Sequence, residues 1–446
     1  MAKTEKIFRD PLYNYVAIDR DRDKWLLDLI DTPEVQRLRR IHQLGVSHVT
    51  YPGADHSRLS HTLGVLHLMQ QAWHRIEAVG WKGPEIRRAR EVLLAAALLH
   101  DLGHGPFSHL YEPVLGINHE RWSCQIIQSP ETEVRQKLDE HDMPIEHITA
   151  LIEKDNRQRP PWQKTLLSSE LDVDRLDYLR RDSYFTGSGY GHYDWYRIIN
   201  SFSLDTMEGK PVLVWPDKAK YAIEEYIFAR FYMYNNVYQH KTTRGFEKIL
   251  HAAWERAKRI RDDGKDAWLV HEIADFVEAE QPSVKQYLAM EDATLVYQLQ
   301  VWTRHPDEVL SDLATRFLAR EGLAAIEDPV SEKDIADARD KWEEALQGVV
   351  SKQGFDRPEC YALRDDLKLT LYNPYSPEKE EQEQDPYNAI FIQPTTGGSP
   401  REISKLLERL APVTGVRERQ YRYYVPKECR DAAMSLAASR KWSPAA

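Results

Sequence analysis

The segment LLHDLGHGPFSH, residues 98–109, carries side chains suited to metal chemistry. An apolar stretch runs into His100 and Asp101 and meets Gly103, which we expect to end a helix in the left-handed conformation. Adjacent polar side chains at the carboxyl end of a buried helix are costly unless a partner satisfies them. A divalent cation would satisfy both residues, and the negative end of the helix dipole favours it.

Two further stretches add candidate ligands. His61 begins the apolar stripe SRLSHTLGV, and Asp174 lies in LDVDRLDYLRRD, where Asp177 and Asp182 share its helical face. Three buried carboxylates on one face would repel one another strongly without a cation. A lone His-Asp pair is usually a capped helix end, but that interpretation leaves these other residues unexplained. We therefore predict a metal site with the ligands His61, His100, Asp101 and Asp174.

The donor set indicates the kind of cation and its chemistry. Imidazole nitrogen combined with carboxylate oxygen suits Mn, Fe, Ni or Zn better than Mg. Such a cation screens a phosphoryl group and lowers the pKa of water. Three nearby histidines are not needed as ligands and could supply protons to a leaving oxygen, namely His104, His109 and His119. The alternative interpretation of each histidine is an ordinary solvated surface side chain. That interpretation is weakest for His109, which lies in the compact GPFSH turn.

These motifs resemble a known family. The pattern H…HD…D is the signature of the HD-domain phosphohydrolases. The fuller motifs RLSHTLGV, HDLGHGPFSH, NHE and DVDRLDYLRRD resemble the deoxynucleoside triphosphate (dNTP) triphosphohydrolases within it, both dGTPases and animal members with a sterile-alpha-motif domain. This sequence shows no counterpart of that extra domain. The resemblance runs from about residue 6 to residue 260, and it implies hydrolysis of dNTPs to deoxynucleoside and inorganic triphosphate.

Carried over residue by residue, the resemblance implies the same four metal ligands and assigns the catalytic groups. Arg58 would hold the α-phosphate region, while His104 and His109 would approach the scissile bond, with His109 as the acid. His119 would orient His109. Glu112 stands where the family usually has aspartate, three positions after His109.

The resemblance also implies a substrate site, with Mg on the substrate phosphates. Triphosphate contacts would come from Arg175, Arg230 and Lys241. Tyr178 and Asp182 would meet the sugar 3′-hydroxyl, and Tyr238 would exclude ribonucleotides. The sugar and base would be lined by Gln43 and Leu44, and Tyr234 stands where the animal enzymes have histidine.

A second nucleotide site is implied by the same resemblance, since a nucleotide often drives tetramer assembly in this family. The residues that match such a dGTP or GTP activator site are Lys6, Asp31, Gln36, Arg39, Arg197 and Lys218. Helix capping by Asp31 and a solvated basic face are an equally good interpretation, and both stay open. A homo-oligomer, dimer or tetramer, is expected.

Helical periodicity dominates the first 260 residues and positions these motifs. Apolar stripes predict helices around residues 59–69 and 86–98, a helix over 166–182 and a long helix over 219–258. Short strand signals lie at 48–51 and 212–215. We predict a mostly α-helical HD-domain fold with a small α+β C-terminal region. The expected divisions are a catalytic core at 1–260, a helical extension at 261–365 and the α+β region at 366–446.

The C-terminal third changes character. An amphipathic helix is predicted over 332–347, strands over 367–375, 387–393 and 419–425, and a helix over 402–410. The polar segment 376–386 between two of the strands is predicted to be a disordered loop.

Composition excludes several classes of function. The net charge of −11 disfavours nucleic acid and anionic membrane as partners. No apolar run is long enough to span a membrane, and no secretory signal is apparent, so we expect a cytoplasmic protein. The three cysteines are widely spaced, which argues against a disulfide framework or zinc ribbon.

Two alternatives to dNTP hydrolysis remain open. The first is another HD reaction, carried out by a nucleotidase, phosphodiesterase or nuclease. The second is a non-catalytic nucleotide sensor with a relic metal site.

Overall fold

The computed structural model describes residues 4–80, 84–108, 112–153, 160–207, 209–330, 336–370, 372, 388–413 and 417–439. The chain opens with an antiparallel hairpin of β1 (Glu5–Asp10) and β2 (Asn14–Asp19). Oδ1 of Asp10 accepts hydrogen bonds from the backbone N–H groups of Leu12 and Tyr13 in the turn. Sequence analysis did not predict this hairpin, because half of its strand positions are exposed and β1 lacks a regular alternation of apolar and polar residues.

Helices form most of the next part of the chain. They are α1 (Lys24–Ile30), α2 (Pro33–Arg37), α3 (Arg58–Ala78), α4 (Pro84–Leu99), α5 (Glu112–Leu115), α6 (His119–Gln128), α7 (Glu133–Glu140), α8 (Ile145–Ile152), α9 (Pro161–Leu167), α10 (Val173–Thr186) and α11 (Trp195–Ser201). Helix α3 packs against both α4 and α10. Leu66, Leu94 and Leu179 are fully buried in the apolar core that these helices share. The helices predicted around 59–69 and 86–98 are confirmed.

The predicted helix over 166–182 is interrupted. Helix α9 ends at Leu167, and α10 begins at Val173. Between them Asp172 caps α10, with Oδ1 accepting from the N–H of Arg175 at 2.7 Å and Oδ2 from the N–H of Ser169 at 2.8 Å. Aspartate is a preferred N-cap residue, so Asp172 was an available signal for this break that sequence analysis did not use.

The long helix predicted over 219–258 is also divided. A hairpin of β3 (Ser203–Met207) and β4 (Lys210–Pro216) precedes α12 (Lys220–Met233). A π-helical turn, Tyr234–Tyr238, then separates α12 from α13 (Lys241–Asp262). Nδ1 of His240 accepts from the N–H of Thr242 at 3.2 Å and so starts α13. The strand predicted at 212–215 is confirmed within β4. The prediction of a strand at 48–51 was wrong, because Ser47–Val49 forms a 3-10 turn.

The second half of the chain builds a second core around α13. Its further elements are α14 (His271–Glu278), α15 (Val284–Leu288), α16 (Asp292–Trp302), α17 (Glu308–Leu318), β5 (Ala324–Glu327), α18 (Ala336–Lys352), β6 (Leu363–Thr370), β7 (Phe391–Gln393), β8 (Arg401–Glu402), β9 (Arg417–Val425) and α19 (Arg430–Ala437). Strand β9 lies between β5 and β6 in an antiparallel sheet. Trp302, Trp342 and Tyr423 are fully or almost fully buried in this core.

The C-terminal strands serve both cores. Strand β7 pairs in parallel with β4, with Trp215 opposite Ile392, so that Ile392 joins the first core. The predicted helix over 402–410 is a pair of 3-10 turns, Ile403–Lys405 and Glu408–Val413, and not an α-helix. The strand over 419–425 is confirmed within β9, and the helix over 332–347 is confirmed from Ala336. The loop at 376–386 lies outside the described residues, and the domain divisions stay a prediction.

Candidate active site

The four predicted metal ligands converge from three elements. Helix α3 presents His61, the turn after α4 presents His100 and Asp101, and α10 presents Asp174. Nε2 of His61 lies 3.1 Å from Oδ1 of Asp174 and 3.7 Å from Oδ2 of Asp101. Nε2 of His100 lies 3.3 Å from Oδ1 of Asp101 and 3.7 Å from Oδ1 of Asp174. His61, His100 and Asp101 thus offer ligand atoms that all lie within 4.8 Å of one another, and Oδ1 of Asp174 lies beside both imidazoles.

This donor set fits a divalent transition metal. Ligand atoms about 2.1 Å from one cation lie roughly 3.0–3.4 Å from their neighbours, close to the separations observed. Nδ1 of His100 lies 3.0 Å from the carbonyl oxygen of Ala97, which orients Nε2 inward. That Nε2 is buried and has no hydrogen-bond partner among the described residues. A cation would satisfy it, and the nitrogen and oxygen donors suit Mn, Fe, Ni or Zn.

The charges of the ligands are strongly coupled. Burial alone would lower the pKa of His61, but the hydrogen bonds to Asp174 and Asp177 raise it to about 10. Burial would raise the pKa of Asp174, but the neighbouring imidazoles of His100 and His61 hold it well below its usual value. A proton on His61 therefore compensates these carboxylates, and a bound cation would replace it.

Behind the ligands, Asp177 orients His61. Oδ2 of Asp177 lies 2.8 Å from Nδ1 of His61, and its carboxylate accepts from Arg181 at 2.8 and 2.9 Å and from the hydroxyl of Tyr13 at 2.9 Å. Such a carboxylate fixes the ring and leaves Nε2 for the metal. Gly64 permits the approach of α10, because a Cβ there would lie 2.0 Å from Oδ1 of Asp177.

Sequence analysis assigned Asp177 no role of its own and treated the three carboxylates of α10 as one repulsive set. That argument was wrong for two of them. Asp177 is neutralised by Arg181, and Asp182 lies 2.8 Å from Nε2 of His56 and accepts from the hydroxyl of Tyr238 at 2.8 Å. The spacing of Asp177 and Arg181, four residues apart, was the available signal for a neutralising pair.

A second cluster lies beside the metal ligands and contains three predicted catalytic residues. The rings of His104 and His119 stack with centroids 4.1 Å apart, and Nδ1 of His119 lies 2.7 Å from Oε1 of Glu112. Nε2 of His104 lies 3.2 Å from Oδ1 of Asp101. Burial and the neighbouring Arg58 and His119 lower the pKa of His104 well below its usual value, so this ring is neutral. His109 lies outside the described residues.

Helix α4 ends at Leu99, just before the predicted ligands His100 and Asp101. Gly103 does not adopt the left-handed conformation that we expected. It is required instead for close packing. A Cβ at Gly103 would lie 2.0 Å from the carbonyl oxygen of His119. The turn after α4 therefore lies directly against the start of α6.

The backbone in front of His109 is held in a strained conformation. Phe107 and Ser108 have φ angles of 49° and 56°, although neither is glycine. The N–H of Phe107 donates to Oδ1 of Asp292 at 2.7 Å, and the hydroxyl of Ser108 donates to the carbonyl oxygen of His42 at 2.7 Å. Nε of Arg58 also donates to the Ser108 hydroxyl oxygen, at 2.8 Å. These hydrogen bonds hold a conformation that costs about 1–3 kcal/mol per residue.

The metal ligands open onto a cavity of about 460 Å³. Most predicted substrate residues line it, namely Gln43, Leu44, Arg58, Arg175, Tyr178, Asp182, Tyr234 and Tyr238. Arg58 is buried, and its NH1 group donates to Oδ2 of Asp101 at 2.5 Å. Arg175 donates to the carboxylate of Asp172. The cavity thus joins the metal centre to two arginines and several tyrosines.

Two predicted phosphate contacts lie elsewhere. Arg230 is not part of the described cavity wall, because its NH1 group pairs with Glu170 at 2.5 Å. Lys241 is exposed at the start of α13 and does not line the cavity either. Sequence analysis missed Arg244 and Glu247, which line the cavity one turn further along α13.

The predicted activator residues lie on the surface, apart from Gln36, which is half-buried. Nε2 of Gln36 donates to the carbonyl oxygen of Ile30 at 2.7 Å, and its Oε1 accepts from Nε of Arg39 at 2.7 Å. NH2 of Arg197 donates to the carbonyl oxygen of Lys218 at 2.7 Å. Lys6 and Asp31 are exposed on β1 and after α1, respectively.

Comparison with protein families agrees with this fold. Residues 58–182 match the HD domain, which includes all four predicted metal ligands, and residues 193–360 match the HD associated region. The chain belongs to the HD-domain phosphohydrolases. None of its described helices has the length and apolar composition needed to cross a membrane.

Among individual relatives, the protein YwfO of Bacillus subtilis is 35% identical over 95% of this chain and 93% of its own length. The deoxynucleoside triphosphate triphosphohydrolase SAMHD1 of Homo sapiens is 28% identical over 57% of this chain, and its Dictyostelium discoideum homologue is 30% identical over 58%. The chain matches 45% and 50% of those two proteins, respectively.

A solved structure extends the similarity to the fold as a whole. A phosphohydrolase from Bacteroides thetaiotaomicron superposes with a TM-score of 0.75 and is 28% identical, covering 94% of this chain and 98% of that chain.

Proposed function

We propose that this protein hydrolyses deoxynucleoside triphosphates to deoxynucleoside and inorganic triphosphate with a divalent metal. The observation that carries the proposal is the single cavity that joins the four metal ligands to Arg58, Arg175 and the tyrosines. The similarity to proteins named as deoxynucleoside triphosphate triphosphohydrolases supports it.

In the proposed reaction, water attacks the α-phosphorus, the bond from that phosphorus to O5′ breaks, and O5′ takes a proton. A divalent cation at His61, His100, Asp101 and Asp174 would supply Lewis-acid chemistry to the phosphoryl group. Arg58 and Arg175 place fixed positive charge beside the phosphates as negative charge develops. We also propose that Mg²⁺ binds the β- and γ-phosphates of the substrate.

The histidine cluster is proposed to manage the proton. His109 is the proposed acid at O5′, from the resemblance of its motif. Glu112 holds the ring of His119, which stacks on the neutral His104. We expect His109→Ala to retain metal and to lose turnover by about 10²–10⁴-fold, as for other general acids. Unchanged turnover would remove His109 from the mechanism.

Selection for deoxyribose is proposed to rest on Tyr238. Its hydroxyl donates to Oδ2 of Asp182, which holds the ring at the cavity wall. A ring packed on the 2′ carbon leaves no room for a 2′-hydroxyl. Tyr178, whose ring lies 6.2 Å from that of Tyr238, and Asp182 are the proposed contacts of the 3′-hydroxyl.

Activation and assembly are a further part of the proposal. The surface residues Lys6, Asp31, Gln36, Arg39, Arg197 and Lys218 are proposed to bind dGTP or GTP and to promote a homo-oligomer. Light scattering of the purified chain with and without dGTP tests this by measuring the molar mass in solution. A protein that remains a monomer in the presence of dGTP would contradict the proposal.

The decisive test is a panel of all dNTPs and NTPs, each with Mn²⁺ or Mg²⁺ and each with or without dGTP or GTP, with the products resolved. We expect deoxynucleoside and triphosphate from dNTPs and little turnover of NTPs. Nucleoside monophosphate among the products would favour the nucleotidase or phosphodiesterase alternative. Nucleotide binding by fully metallated protein without turnover would favour the sensor.

A further inference from the structure

The substrate cavity carries charged groups on two different walls. Arg58 contacts Asp101, and Arg175 directly follows Asp174, so both cations accompany the metal ligands. Arg244 and Glu247 line the cavity from α13. Helix α13 packs against the Ser47–Val49 turn, and the hydroxyl of Thr243 donates to that of Thr50 at 2.8 Å.

The positive charge of Arg244 is already neutralised by two carboxylates. Its Nε and NH2 groups donate to the two oxygens of Asp365 at 3.0 and 2.5 Å, and NH1 donates to Oε2 of Glu247. Lys248 lies 3.2 Å from Oδ1 of Asp365 and balances its charge. Arg244 therefore acts as a fixed support for Glu247, and not as a free cation for phosphate.

Glu247 offers acceptor capacity to the cavity. Oε1 of Glu247 has no hydrogen-bond partner in the described part of the chain, and Oε2 keeps a second lone pair beside Arg244. Placing phosphates beside this carboxylate would be repulsive, whereas N–H donors would be bound. The phosphates belong at the metal and its arginines, which leaves the α13 wall for the base.

The four bases differ in the donors of their Watson–Crick edge. Guanine presents two adjacent donors, N1–H and the 2-amino group, which match the two oxygens of one carboxylate. Adenine, cytosine and thymine each place acceptors beside a single donor group on this edge. A carboxylate held in a fixed orientation therefore distinguishes guanine from the other three.

We propose that Glu247, positioned by Arg244 and Asp365, binds the Watson–Crick edge of guanine and makes dGTP the preferred substrate of this cavity. This inference rests on the proposed function, since it assumes that a nucleotide occupies the cavity with its phosphates at the metal.

The first test uses the wild-type protein with dGTP, dITP, dATP, dCTP and dTTP, each added with Mn²⁺ and saturating GTP, so that the proposed activator site is filled in every reaction. We expect kcat/KM for dGTP to exceed that for dATP by about 10- to 100-fold, the discrimination typical of a bidentate contact to a base. Hypoxanthine, the base of dITP, keeps N1–H but lacks the 2-amino group. The value of kcat/KM for dITP should therefore lie between those for dGTP and dATP. Equal values for the purines would overturn the inference.

The second test is Glu247→Gln, which preserves shape but removes one acceptor and the charge. We expect the dGTP-to-dATP ratio of kcat/KM to fall by about tenfold, with metal content and thermal midpoint close to wild type. The matched control is Glu255→Gln, which lies two turns further along α13 and does not line the cavity. A ratio that Glu247→Gln leaves unchanged would contradict the assignment.

Binding separates failure of this inference from failure of the proposed function. Calorimetry with the α,β-imido analogues of dGTP and dATP, in the presence of saturating GTP to fill the proposed activator site, measures base preference at the cavity without turnover. If no dNTP yields triphosphate but the dGTP analogue binds at least about tenfold more tightly, the hydrolysis proposal fails and the base assignment stands. If both analogues bind equally or neither binds, the base assignment fails.

Discussion

Asp174 is the predicted metal ligand on α10, and it faces the predicted ligands His100 and Asp101 that follow α4. Asp174→Ala removes a carboxylate whose Oδ1 lies 3.1 Å from Nε2 of His61. We expect metal content and phosphohydrolase activity to disappear together, because the remaining three ligands bind a divalent cation too weakly. Elemental analysis of gel-filtered protein and a product assay check this. Asp275→Ala, on the exposed face of α14, is the control, and retention of both metal and activity would refute the assignment.

His42 makes the stability of the site depend on pH. Hydrogen bonds to Asp292 at 2.5 Å and to Asp55 at 2.7 Å raise the pKa of His42 in the folded chain, although burial opposes this. The unfolded-state pKa is about 6.5. The ion pairs therefore contribute stability fully below about pH 6.5 and lose it as pH rises through the raised folded-state pKa.

We accordingly expect His42→Gln to lower the thermal midpoint most in weakly acidic solution, with the difference from wild type shrinking toward alkaline pH. Thermal unfolding of both proteins across this pH range is the measurement. His271→Gln serves as the control, because its side chain is 83% exposed. A difference that grows with pH would show that the sign is wrong.

At the level of elements, the contact between α3 and α10 aligns the metal ligands. Gly64→Ala would place a Cβ 2.0 Å from Oδ1 of Asp177 and 2.3 Å from NH2 of Arg181. Both atoms belong to a buried ion pair that cannot move freely. We expect a loss of about 3–5 kcal/mol in the free energy of unfolding, together with weaker metal binding.

Gly348 provides the matched control for this prediction. It lies in α18, and a Cβ there meets no atom within 4 Å. Gly348→Ala should stabilise the chain by about 0.5–1 kcal/mol, because alanine favours the helix. Urea unfolding and metal titration of both variants measure the contrast. Equal effects at the two positions would mean that the packing of α3 on α10 does not hold the site.

Across the whole molecule, the C-terminal sheet reaches the cavity through α13. Asp365 on β6 is fully buried and pairs with both Arg244 and Lys248. We expect Asp365→Asn to raise KM several-fold and to lower the free energy of unfolding by about 1–3 kcal/mol, with metal content unchanged. Steady-state kinetics and urea unfolding test this against Asp340→Asn, whose side chain is 65% exposed. Loss of metal in Asp365→Asn would contradict a role confined to α13.

The helical HD architecture and the candidate metal ligands could be predicted from the sequence, because each ligand lies in a short, recognisable motif. His100 and Asp101 are adjacent, and each of the other two lies in a recognisable apolar pattern. The break before α10 was missed because apolar residues continue on both sides of it, although the N-cap residue Asp172 was a signal for it. The π-helical turn that carries Tyr234 and Tyr238 leaves no trace in the periodicity.

Contacts between distant segments were also beyond the sequence. Arg37 lies in a basic run with Arg39 and Arg40, yet it is buried and donates to the carbonyl oxygens of His104, Leu288 and Met290. Arg244 showed no motif, and neither its place on the cavity wall nor its pairing with Asp365, 121 residues away, could be deduced from the sequence.

At Phe107 and Ser108, the left-handed backbone lowers thermal stability, while the residues that adopt it are expected to support turnover. Glycine at position 108 would relieve the strain, but it would also remove the hydroxyl that connects Arg58 to the loop. A laboratory selection for thermostability alone should therefore favour replacements here, and those variants should turn over more slowly. A selection that demands turnover should return serine at 108 even at the cost of melting temperature.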